Sequence, residues 1–166
     1  MDQEEYTKSL NEAAFELPSD TNKQQHTRKL DCKGLKCLRA INGSLQWLVT
    51  NSRPDLAARV SLSAGATSNP TYGDLQSANK LIRQAQRCKE LPIVIQSIPL
   101  DRLSIGTFTD AAWAVRPDGS SQGGYLRFFS DNDLIDGKES KISIMYWKSC
   151  KLKRKVRSSL AAESQA

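Results

Sequence analysis

The sequence predicts an α+β fold: a small three-helix segment, then an antiparallel three-stranded meander and one more helix. Three observations carry this. Leu35, Leu38, Ile41, Leu45 and Leu48 recur at helical spacing, as do Leu75, Ala78, Leu81, Ile82 and Ala85. From Leu103 onward the period changes to two, in runs rich in β-branched and aromatic residues. Short turn-rich links join those runs, which favours antiparallel neighbours over the long crossovers that parallel strands require.

Taken in order, residues 1–33 open with a short helix from Gln3 to Leu10 and continue through a polar, turn-rich stretch at 18–25. This segment reads as a largely irregular connection with few core residues. Residues 34–90 read as three helices. Trp47 lies beside the first apolar stripe, and core packing is favoured over a cofactor role. Asn51-Ser52-Arg53-Pro54 ends that helix and opens the next, where Leu56, Val60 and Ala64 line one side. Thr71-x-x-Asp74 is a variant capping box that starts the third helix. Lys80, Arg83, Arg87 and Lys89 are free to face outward, where a solvated face is favoured over contact with phosphates.

Residues 91–102 read as a linker with a short strand candidate at Pro92-Ile93-Val94-Ile95. The three expected strands are Leu103 to Thr109, Gln122 to Phe129 and Lys141 to Trp147. Arg116-Pro117-Asp118-Gly119-Ser120-Ser121 separates the first two. A helix beginning near Ser158 and running to about Ala166 completes the segment 103–166. It places Glu163 on the helix and Asp110 at the end of the first strand. If the helix crosses the meander, these carboxylates meet over one sheet edge, a donor type suited to Mg²⁺ or Mn²⁺. Spacing alone favours the plainer reading, two solvated carboxylates.

Lys148, Lys151, Lys153, Arg154, Lys155 and Arg157 cluster ahead of Glu163, a density that attracts phosphates and makes binding salt-dependent. With nothing to neutralise them, repulsion keeps this stretch solvated and mobile. A net charge of +6 over 166 residues fits a polyanionic partner. No apolar run approaches the ~20 residues needed to cross a bilayer, so no membrane partner is expected. Met1-Asp2-Gln3-Glu4-Glu5 has no secretory character, so an intracellular setting is expected. Cys32, Cys37, Cys88 and Cys150 form no C-x-x-C pair, and His26 is not placed to complete a zinc set. They read as reduced thiols.

The ordered series Thr109-Asp110-Ala111-Ala112-Trp113-Ala114, Gln122-Gly123-Gly124-Tyr125, Trp147-x-Ser149-x-Lys151 and Arg157-Ser158-Ser159-x-Ala161-Ala162-Glu163 resembles the ribonuclease H domain of copia-type retrotransposon polyproteins. Upstream, Gly43-Ser44-Leu45-Gln46-Trp47-Leu48, Arg53-Pro54-Asp55 and Ser68-Asn69-Pro70 resemble the end of the reverse transcriptase in the same polyproteins. The similarity covers nearly the whole chain, and the ordered set carries it rather than any one tetrapeptide.

The resemblance implies that residues 34–90 are the thumb-like end of the polymerase, without the Tyr-x-Asp-Asp signature of its catalytic palm. It implies that residues 103–166 are a C-terminally truncated ribonuclease H-like domain. Asp110 and Glu163 match family ligands for the two divalent metals, Mg²⁺ or Mn²⁺, that hydrolyse the RNA strand of an RNA–DNA hybrid. Ser149, Lys151, Lys153, Arg154, Lys155, Arg157 and Ser158 match the path of the hybrid. The family's further acidic ligands have no counterpart here, so the resemblance implies a fragment inactive alone, partnered by nucleic acid and the remainder of the Pol polyprotein. The alternative expectation is a non-catalytic basic module that binds nucleic acid or a polymerase.

Overall fold

A computed structural model of the chain describes residues 2–13 and 26–166. The turn-rich stretch expected at 18–25 lies outside the described residues. The chain divides into two compact units, Met1–Leu91 and Pro92–Ala166. It is an α+β protein, with five α-helices and one three-stranded sheet among the described residues. No described helix is long and apolar enough to cross a membrane.

The first unit is helical: α1 (Gln3–Ser9), α2 (Cys32–Asn51), α3 (Ala57–Gly65) and α4 (Tyr72–Arg87). Asp31 caps α2 by accepting the Gly34 amide at 2.7 Å. The reciprocal capping box forms at α4: Thr71 Oγ1 accepts the Asp74 amide at 3.3 Å, and Asp74 accepts the Thr71 amide at 2.8 Å. Leu38, Ile41, Leu45 and Leu48 of α2 pack with Leu56, Val60, Leu75, Ala78, Ile82 and Ala85 as a buried core. Arg83 on α4 is ion-paired to Glu12, and Lys89, just past its end, to Glu4 at 3.3 Å.

Three expectations are corrected in these regions. Trp47 is 45% exposed and not a core residue; its ring lies on Tyr6 of α1 at 4.2 Å, which covers only part of it. Ala64 is exposed, because α3 ends at Gly65 and its last turn has left the core. Pro92-Ile93-Val94-Ile95 forms no strand, and Ile95 is 72% exposed. Pro92 has no amide hydrogen to donate, and a short apolar run gains sheet structure only where a neighbouring strand accepts it.

The second unit holds β1 (Leu103–Ala112), β2 (Gln122–Asp131), β3 (Ile142–Lys151) and α5 (Ser159–Glu163). The strands form an antiparallel meander in the order β1-β2-β3. All three outrun their expected ends, so Asp110, Ser149 and Lys151 lie within strands. The ladder continues because Ala111↔Gly123↔Cys150 keeps its backbone partners although those residues carry no alternation. A bulge between Arg127 and Phe128 shifts the β2–β3 register. The final helix is shorter than expected, five residues with Ser158 as its N-cap.

Phe128 anchors one sheet face, buried against Phe108 with ring centroids 4.8 Å apart. Gly106 leaves the room for that ring: a Cβ there would come within 2.4 Å of Phe128 Cζ.

Candidate nucleic-acid interface

Asp110 is the register partner of Gly124 and therefore shares a pleat face with Gly106 and Phe108. Ala111, opposite Gly123, belongs to the other face. Helix α5 packs against β1. Ser158 Oγ starts it by accepting the Ala161 amide at 3.2 Å, and Ala162 is its buried residue. Just past its end, Ala166 Cβ lies 3.7 Å from where a Cβ on Gly123 would sit. The helix thus seals the Gly123 face, while Asp110 belongs to the opposite one.

The elements that bear Asp110 and Glu163 are brought together, and both side chains are exposed. Among the described residues, no three or more His, Cys, Asp or Glu side chains are grouped so as to hold a metal.

The expected phosphate contacts divide into engaged and open groups. Ser149 Oγ accepts from Gln122 Nε2 at 2.7 Å and donates to the Gly123 carbonyl at 3.2 Å, so its hydroxyl serves the sheet. Ser158 serves as a cap. Lys151 is ion-paired to Asp118, and Lys155 Nζ donates to the Asp118 carbonyl oxygen at 2.5 Å. Lys153, Arg154 and Arg157 remain exposed. A groove of about 420 Å³ runs beside this segment, lined by Cys150, Lys151, Leu152, Lys153, Arg154 and Gln165.

Asp118 is the residue that reading the sequence missed. It sits in the β1–β2 link, where Gly119 adopts φ 71° and the Asp118 carboxylate accepts the Ser120 amide at 3.0 Å. The hydrogen bond from Lys151, helped by those from Ser120, holds its carboxyl well below the usual carboxylate range. Repulsion within the basic run is therefore relieved at Lys151 and Lys155. The signal lay in the strand register: once Gln122 pairs with Lys151, the link that precedes Gln122 lies beside the end of β3. Comparison of the chain with protein-family models, with curated proteins and with solved structures finds no match.

Proposed function

We propose that the chain is part of a copia-type retrotransposon Pol polyprotein, spanning the end of the reverse transcriptase and the first part of a ribonuclease H-like domain. In this reading the second unit engages an RNA–DNA hybrid and does not cleave it efficiently alone. One observation supports this most. An antiparallel meander, with an Asp on its first strand, is followed by a helix that carries a Glu and returns to pack on that strand. This is the order the motif resemblance implies.

The donor set does not fit a two-ion centre. Two cations some 3.5–4 Å apart need several fixed carboxylates between them. Asp110 and Glu163 are both exposed, and neither belongs to a metal-holding group among the described residues. A single hydrated Mg²⁺ or Mn²⁺, held chiefly by water and substrate phosphate, is the most this pair suits. Efficient hydrolysis then requires further carboxylates from another segment of the polyprotein.

Binding is the property this chain can carry itself. Lys153, Arg154 and Arg157 offer an exposed cationic rim, and contacts to phosphate position a duplex without reading its bases. These exposed cations also favour the second reading, a non-catalytic nucleic-acid-binding module.

Fluorescence anisotropy with a labelled RNA–DNA hybrid tests both. Affinity should fall steeply between about 50 and 200 mM salt, survive Asp110→Asn, and weaken when Lys153 and Arg154 are replaced by Ala. With Mg²⁺ or Mn²⁺, cleavage should stay at background. Robust turnover abolished by Asp110→Asn would establish an enzyme in its own right. No binding at low salt would remove both readings.

A further inference from the structure

The face of the sheet that α5 seals at one end stays open further along. Tyr125 pairs across the β2–β3 ladder with Lys148, and Arg127 pairs with Tyr146. Alternation puts all four side chains on one face, as a checkerboard of two tyrosines on one diagonal and two cations on the other. The tyrosine rings are 5.7 Å apart and within 26° of parallel. The Arg127 guanidinium lies 5.5 Å from the Tyr125 ring centre. Tyr146 is 50% exposed, and Arg127 and Lys148 are exposed.

The surroundings frame this patch without covering it. On β1 its register partners are Thr109 and Thr107, short and exposed. At one end Leu152 and Ala166 lie against Gly123. At the other, the backbone of Gln96 is tied to Ser143, its amide donating to Ser143 Oγ at 2.7 Å. The acid on the same pleat, Asp131, is held by Arg102 at 2.6 Å and so leaves the positive character of the patch intact. The neighbouring Tyr146 hydroxyl pushes the Tyr125 phenol above its usual range, so the Tyr125 ring stays neutral at physiological pH.

A half-exposed ring, a partly buried one and two exposed cations complement a chain with flat rings and regularly spaced negative charges. A duplex keeps its bases stacked inward, whereas a single strand presents them. A protein partner is matched less well at Lys148, because lysine is depleted from protein interfaces. We propose that this face binds single-stranded nucleic acid, with bases laid on Tyr125 and Tyr146 and phosphates met by Arg127 and Lys148. The inference does not rest on the ribonuclease H reading.

The test uses the full chain and an unstructured oligothymidylate. With ¹³C-labelled tyrosine, the Tyr125 and Tyr146 ring signals should move upfield on titration while those of Tyr6 and Tyr72 stay fixed. The double substitution Tyr125→Leu and Tyr146→Leu should weaken oligothymidylate binding roughly tenfold or more, the scale of lost base stacking. It should leave binding of inorganic polyphosphate, which has no bases, unchanged. Replacing Lys153 and Arg154 by Ala should weaken hybrid binding and leave the tyrosine ring shifts in place, separating this site from the basic segment. Ring signals that do not respond to the oligonucleotide would overturn the proposal. So would equal losses for oligothymidylate and polyphosphate.

Discussion

Asp118, in the link between β1 and β2, is ion-paired to Lys151 at the end of β3, and its carbonyl oxygen takes the Lys155 ammonium. One acid thus restrains two of the cations that would otherwise face a phosphate backbone. Asp118→Asn releases Lys151. Hybrid affinity at low salt should rise, and the slope of log affinity against log salt should steepen by about 1, one added phosphate contact. An unchanged slope in anisotropy titrations would show that Lys151 does not meet the ligand.

The same carboxyl makes stability pH-dependent. Its folded pKa is depressed by Lys151 and Ser120, and that of Asp131 is depressed chiefly by Arg102. A depressed folded pKa contributes stability above the unfolded value and loses it as pH falls toward the folded one. The melting temperature of the full chain should therefore decline as pH drops below the ordinary carboxylate value of 3.8. Asp118→Asn, followed by circular dichroism, should make that decline shallower. Asp131, still held by Arg102, sustains the remainder.

Two glycines should respond differently to one added methyl. At Gly106 the new Cβ meets the Phe128 ring, which is buried against Phe108. Gly106→Ala should cost about 1–3 kcal/mol in urea unfolding. At Gly123 the nearest atom, at 2.5 Å, is Leu152 Cδ2, the end of a flexible side chain that can turn aside. Gly123→Ala should cost less than half as much.

Among the described residues Arg53 is the largest fully buried side chain, 1% exposed. Its Nε and Nη2 each donate to the Asp55 carboxylate at 2.8 Å, and Nη1 donates to the Ala85 carbonyl at 3.1 Å. It ties the start of α3 to the end of α4. Arg53→Ala removes packing and these bonds together and should destabilise the chain by about 2–4 kcal/mol. Asp55→Asn should cost about 1–3 kcal/mol, because it leaves a buried guanidinium short of its counter-charge. A change below 0.5 kcal/mol in either urea titration would contradict this account.

The capping box at Thr71 and Asp74 was legible because a cap is a local device, closed within one turn. The helical stripes and the strand starts were legible because burial imposes a period on the side chains. The strand ends were not: Ala111, Ala112, Ser149 and Lys151 stay in the ladder through backbone bonds that no side-chain pattern records. Trp47 sits one position off an apolar stripe, and only the three-dimensional reach of Tyr6 decides how much of it is covered. The site was legible in part. Asp110 and Glu163 could be picked out, but the pleat that gives Asp110 the face opposite α5 depends on the register with Gly124. Asp118 and Lys151 lie 33 residues apart, and their pairing follows only once the meander is built.

In the meander only β2 has a neighbour on both flanks. An amide of β1 either points inward to a carbonyl of β2 or outward to water, in alternation. Hydrogen–deuterium exchange along Leu103–Ala112 should therefore read as a two-beat rhythm, slow and fast by turns. Through Gln122–Asp131 it should be uniformly slow, interrupted only at the Arg127/Phe128 bulge.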